Sequence, residues 1–202
     1  MKYGISLRSR RGLVGFLGAI ALSLPLMLWD APALAQRSSS AEQALQQGRV
    51  VLTGDNGQYV GRVLVNAPIS TAWAVLTDYD NFEQFFPNVA SSQLISSSGN
   101  QRVFEQENVV RLLAFTRRTR VRIATVESYP QQIAFQVIDG DIEALQGVWQ
   151  LQTVGNQNQV LITHQVYIDP GSSNREIFFT LYRDNLESTL AALKREIERR
   201  AR

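Results

Sequence analysis

Residues 160–200 read VLITHQVYIDPGSSNREIFFTLYRDNLESTLAALKREIERR, and the hydrophobic period changes part-way along them. In the first part Val160, Ile162, His164, Val166 and Ile168 alternate with Leu161, Thr163, Gln165 and Tyr167. Successive side chains of a strand point to opposite faces, so the first set shares one side of a sheet. Further on, Phe179, Tyr182, Leu186, Leu190, Leu193 and Ile197 recur at spacings of three and four. That is the apolar stripe of an amphipathic helix of about seven turns, with Glu and Arg on its far side. Ser173-Asn-Arg-Glu176 fits a capping box, in which the Ser hydroxyl and the Glu carboxylate satisfy the orphan amides of the helix start. A long helix with one apolar stripe, following a strand with one apolar face, is the element that covers the sheet.

Working outward, strand patterns precede it in close succession: 93–96, 101–110, 118–127, 132–138 and 144–153. The stretches between them, at 97–100, 128–130, 139–141 and 155–158, supply the Gly, Pro, Asn and Asp of hairpin turns. Val121, Ile123 and Thr125 fall on one face and Arg118, Arg120 and Arg122 on the other. Ile133, Phe135 and Val137, then Leu145, Trp149 and Leu151, continue the apolar face. Before these strands, Pro68-Ile-Ser70 opens a helical stretch over 71–77 with Trp73 and Leu76 on one side, and 81–86 fits a second short helix ended by Pro87. The earliest strands, 50–53 and 58–65, flank the tight-turn sequence Asp55-Asn-Gly57. Residues 36–48 are rich in Ser, Gln and Ala without a strong apolar period, and are expected to be a flexible lead-in to a single domain over 49–202.

The N-terminus has a different character. Lys2, Arg8, Arg10 and Arg11 precede an apolar run from Gly12 to Trp29, and Ala31-Pro-Ala-Leu-Ala35 carries small residues at the two positions a signal peptidase reads. This order is that of a secretory signal peptide over 1–35, cut after Ala35, and it places the domain across the cytoplasmic membrane. An uncleaved anchor is the competing reading; Pro25 and the glycines of the run weigh against it. Ser9-Arg10-Arg11-Gly12-Leu13-Val14 also fits a twin-arginine signal, which would export the domain folded, or else two adjacent arginines of an ordinary basic segment. The whole chain has 20 Lys plus Arg and 18 Asp plus Glu; removing four basic residues and Asp30 leaves sixteen against seventeen. That balance provides no electrostatic case for nucleic acid. With no cysteine, thiolate nucleophiles, thiolate metal sites and disulfides are excluded.

Two short helices after the first strands, a run of antiparallel strands and one long closing helix describe an α+β helix-grip fold. The residues Gly61-Arg-Val-Leu-Val-Asn-Ala-Pro68, Trp73-Ala-Val-Leu-Thr-Asp-Tyr79, Asn81-Phe82, Phe86-Pro-Asn88, Gly140, Gly147-Val-Trp149 and Asn185-Leu186 resemble the START-like (SRPBCC) superfamily. The likeness is to its polyketide cyclase/dehydrase and coenzyme Q-binding branch, and it covers the chain from about Gly48 onward. It implies a curved antiparallel sheet and a long C-terminal helix enclosing an apolar cavity for a lipid, quinone, polyketide or similar molecule. These are packing and turn residues; they specify a fold and transfer no catalytic set.

Within that frame Trp73, Phe86, Phe135, Trp149, Phe179 and Tyr182, with His164 and Leu186, are the residues expected to border the cavity. Each aromatic serves equally well as plain core, since only volume separates a pocket from a filled interior. His164, the only histidine, reads either as a cavity acid/base or polar handle or as a satisfied core residue. It is too isolated for a metal site. Asp78 and Asp80, and Asp139 and Asp141, suit cap and turn hydrogen bonding better than paired acid/base work. Leu112, Leu113 and Phe115, flanked by Arg111, Arg117, Arg118 and Arg120, form an apolar tip that could touch a membrane surface or close the mouth of the fold. The expected function is an exported carrier of a hydrophobic small molecule without a cofactor. The alternatives are a cyclase or dehydratase using His164 or Tyr182 in the same cavity, and a partner-binding module acting through the apolar tip.

Overall fold

The computed structural model describes residues 31–112, 115–155, 158–171 and 174–202, with backbone alone over 31–38, 110–112 and 115–117. Asn56 and Gly57 take φ of 49° and 89°, the left-handed pair that a two-residue hairpin turn requires. They join β1 (Val51–Asp55) to β2 (Gln58–Val65), with Asp55 opposite Gln58. Leaving β2, the chain forms α2 (Ile69–Leu76), preceded by Pro68 in an extended conformation. It then makes a single 3-10 turn over Phe82–Gln84, where a short helix over 81–86 is expected. Side-chain bonds explain the tighter turn: Asn81 Nδ2 donates to Asp78 Oδ1 and Gln84 Nε2 to Asn81 Oδ1, holding a loop in place of a regular turn of helix.

Six strands follow: β3 (Val89–Ser98), β4 (Gln101–Leu112), β5 (Phe115–Ser128), β6 (Gln132–Gly140), β7 (Ala144–Val154) and β8 (Gln159–Asp169). All eight strands form one antiparallel sheet in the order β1-β2-β8-β7-β6-β5-β4-β3, so that the chain's second strand pairs with its last. β3 begins four residues earlier than its sequence pattern and carries register shifts between Val89 and Ser91 and between Leu94 and Ser96. Such bulges break the alternation on which a strand is recognised. The outward face carries an ion-pair ladder: Arg118 with Glu107, Arg120 and Arg122 with Glu105, both arginines also within reach of Asp139.

The closing helix α3 (Arg175–Arg200) lies against β2 and α2. Its buried residues, Leu186, Leu190, Ala192, Leu193, Glu196 and Ile197, all lie beyond Asn185. Of these, Leu190, Leu193 and Ile197 join Val63, Val65 and Ile162 in the part of the core with no exposure to solvent. Asn174 is the N-cap and makes no side-chain cap hydrogen bond; Ser173, on which the expected capping box rests, lies outside the described residues. Residues 31–46 form a helix, α1 (Ala31–Gln46), which lies against β1 and β2. Its Ala, Gln and Glu content favours helix without an apolar stripe, and Gly48 at φ 74° ends it by donating to Leu45 O while Arg49 N donates to Ala44 O.

Candidate functional site

The inward alternation of β5 to β8 and the first half of α3 do not meet. Between them is a cavity of about 380 Å³, within the range of ligand pockets, roughly 300–1,000 Å³, and far above the water-sized voids of a packed interior. Its floor is Val121, Ile123 and Thr125 of β5, Ile133 and Phe135 of β6, Leu145 and Trp149 of β7, and His164 and Ile168 of β8. Ile177, Phe178, Leu181, Tyr182 and Leu186 of α3 form the roof, and Leu76, Tyr79, Phe82 and Phe86 close the end beneath α2.

Three rings build one wall. Trp149 lies opposite His164 in the β7–β8 register, and their rings stack at 3.7 Å with planes 22° apart. Phe135 stacks on the same imidazole at 5.4 Å and 17°. The Phe135 ring can lie there because its cross-strand partner is Gly147: a Cβ on that glycine would stand 2.7 Å from Phe135 Cζ and 2.1 Å from the Gln165 carbonyl oxygen. His164 is buried, its Nδ1 finds no partner among the described residues, and burial pushes its pKa down to about 3. At neutral pH it is an uncharged ring and a poor proton acceptor.

The other titratable groups point the same way. Burial raises the Tyr182 phenol well above its ordinary value, with the neighbouring Tyr59, ring centroids 5.7 Å apart, adding to the shift. Tyr79 is raised for the same first reason. Its hydroxyl donates to Glu127 Oε1 at 2.8 Å and lies 3.3 Å from Thr125 Oγ1, while Glu127 pairs with Arg102 at 3.5 Å. This group ties the segment between α2 and β3 to the inner end of β5. Among the described residues no cluster of His, Asp and Glu could hold a metal ion.

The family model described as polyketide cyclase / dehydrase and lipid transport matches residues 65–192, more than half of the chain. The chain belongs to this family. As a member of it, and of the START-like superfamily, it shares its fold with solved structures of low sequence identity. A STAR-related lipid transfer protein from Xanthomonas axonopodis is 18% identical, with 73% of this chain and 98% of that one covered and a TM-score of 0.61. The Zhui aromatase/cyclase from Streptomyces sp. R1128 is 19% identical, over 72% and 95%, with a TM-score of 0.60. A START superfamily protein from Mycobacterium smegmatis is 15% identical, over 70% and 97%, again at 0.60. These likenesses establish the fold alone. Comparison with curated proteins found no match.

Of the residues singled out for the cavity of this START-like chain, Phe86, Phe135, Trp149, His164, Tyr182 and Leu186 line it together. Trp73 and Phe179 do not. Trp73 is buried on α2, edge-on to the Tyr129 ring at 5.3 Å. Phe179 faces the β1–β2 turn, where its carbonyl accepts from Tyr59 Oη and its ring lies 5.3 Å from the Arg175 guanidinium. Phe178 occupies the roof position instead, stacked with Tyr182 at 6.0 Å and 14°. Leu112 and Phe115 are paired residues at the ends of β4 and β5; their side chains, and Leu113 altogether, lie outside the described residues. The aspartates are in structural roles: Asp78 pairs with Arg200 at 2.8 Å, Asp80 Oδ1 accepts from Leu94 N, and Asp141 Oδ2 accepts from Arg120 N. What sequence reasoning missed is the polar side of the cavity, Asn88, Gln106, Asn108, Thr119 and Asn185. These residues carry no periodic signal, although Asn88 and Asn185 stand in stretches that carry the family resemblance.

Proposed function

We propose that this protein binds and carries a hydrophobic small molecule, such as a lipid, quinone or isoprenoid, between the sheet and α3. The observation that carries the reading is the apolar cavity of about 380 Å³ under the first half of α3. An apolar guest is stabilised there by leaving water, at about 25 cal/mol for each Å² of apolar surface buried. A cyclase reading draws on the family description and the aromatase/cyclase neighbour. It is the weaker of the two, because His164, at a pKa of about 3, and Tyr182, raised far above neutrality, are poorly matched to proton transfer near pH 7.

The proposal extends to place and route. The basic and apolar N-terminal segment supports export across the cytoplasmic membrane, and the apolar sequence from Leu112 to Phe115 supports collection of the guest at a membrane surface. No helix among the described residues is long and apolar enough to cross a membrane.

Native mass spectrometry and solvent extraction of the protein purified from its own host test the central claim. A co-purifying apolar molecule, displaced when Trp149→Ala and Phe135→Ala are introduced together, is the expected result. Recovery of the protein without any such molecule, together with failure to take up a fluorescent hydrocarbon, would remove the carrier reading.

A further inference from the structure

One side of the cavity differs from the rest. Asn88, Gln106, Asn108, Thr119 and Asn185 face it together where α3 passes the start of β3 and the middle of β4 and β5. Asn88 Nδ2 donates to Asn185 Oδ1 at 2.8 Å, and Gln106 Nε2 donates to Asn108 Oδ1 at 2.6 Å. A primary amide has two N–H donors and a carbonyl with two lone pairs. Each bond therefore uses one hydrogen of the first amide and one lone pair of the second. The carbonyls of Asn88 and Gln106 and the amino groups of Asn108 and Asn185 remain to serve a guest, in partly buried surroundings where an unmade hydrogen bond is costly.

The described residues of this collar are uncharged. Among the described lining residues Asp141 alone is charged, and its carboxylate already accepts from the Arg120 amide at 2.8 Å. Arg118, Arg120 and Arg122 lie on the outward face, each paired with a glutamate of β4. A phosphate or carboxylate entering the collar would lose water without meeting a cation among the described lining residues, which is the arrangement proteins avoid for buried anions. A hydroxyl or carbonyl meets both donors and acceptors.

We propose that the guest is an uncharged amphiphile, its hydroxyl or carbonyl groups read by the amide collar and its apolar body lying against the Trp149, His164 and Phe135 wall. The inference rests on the binding reading above and narrows it by excluding anionic lipids. Both pairs of amides are needed for it, since each supplies one spare acceptor and one spare donor group.

The test is competition against diphenylhexatriene, a fluorescent hydrocarbon, by oleyl alcohol and by oleyl phosphate, which share one chain and differ in head-group charge. Oleyl alcohol is expected to compete at a concentration at least about tenfold lower than oleyl phosphate. Gln106→Leu and Asn185→Leu, made separately, are expected to weaken oleyl alcohol about fivefold more than they weaken diphenylhexatriene. Oleyl phosphate competing equally or better, or both variants leaving that ratio unmoved, overturns the neutral-head assignment while the carrier reading stands. If diphenylhexatriene itself does not bind, the carrier reading fails, and this inference with it.

Discussion

At the scale of the residue, two positions show how a cavity is kept open without loss of order. Gly147 permits the Phe135 ring to lie across β7, and a methyl group there has nowhere to go but into the Gln165 carbonyl and that ring. Gly147→Ala is expected to cost about 1–3 kcal/mol, as overpacking does, and to weaken hydrocarbon binding by displacing Phe135; urea denaturation and the fluorescence titration read the two effects separately. Tyr79 does the opposite work, tethering the segment between α2 and β3 to β5 through Glu127 and Thr125. Tyr79→Phe removes the donor to Glu127 and is expected to destabilise the fold by about 1–2 kcal/mol. Glu127 keeps Arg102, so a loss much above that range in thermal denaturation would show that the tether holds more than one bond.

At the scale of the element, α3 is two helices in function. Its C-terminal part is set into the core through Leu190, Leu193 and Ile197, none of them exposed, whereas residues 175–185 contribute no buried side chain and roof the cavity. Leu193→Ala is expected to cost about 2–5 kcal/mol, and Leu181→Ala, which trims a roof side chain, less than about 1 kcal/mol. Hydrogen exchange gives the complementary measurement. Amides of 175–184 are expected to exchange faster than those of 186–200, and to slow when the cavity is filled, because local opening is easiest where few apolar contacts hold. Uniform protection along α3 would mean that the roof is anchored by something other than its guest.

At the scale of the whole molecule, stability follows pH through several groups, of which His164 and Glu196 are the most strongly shifted on the acid side of neutrality. His164 has its folded pKa pushed down to about 3 from 6.5, so below about pH 6.5 the unfolded chain binds a proton that the folded chain refuses, and stability falls as pH falls. The expected loss is roughly 3 kcal/mol between about pH 7 and pH 4. Glu196 is held down to about 2 from 4.5, first by hydrogen bonding from Arg199 and then by Arg200, so its contribution is present above about pH 4.5 and drains away below it. His164→Phe is expected to flatten melting temperature against pH between about 6.5 and 4.5 and to leave the steeper fall below that range; an unchanged profile would contradict the burial of a neutral imidazole. Much of this architecture was legible beforehand, because strand alternation and the spacing of Leu186, Leu190, Leu193 and Ile197 are local periods that any sheet-covering helix must show. The sequence by itself therefore determined the element order from β1 onward, the inward faces of β5 to β8 and the helix that closes over them. The tertiary structure decided the rest. Phe178 and Phe179 stand four and three residues before Tyr182, and both spacings suit one apolar stripe. Only the angle at which α3 is seated places Phe178 over the cavity and turns Phe179 toward the β1–β2 turn. The cavity itself is a distance between two surfaces remote in sequence, and no run of residues on either one encodes how far apart they stand.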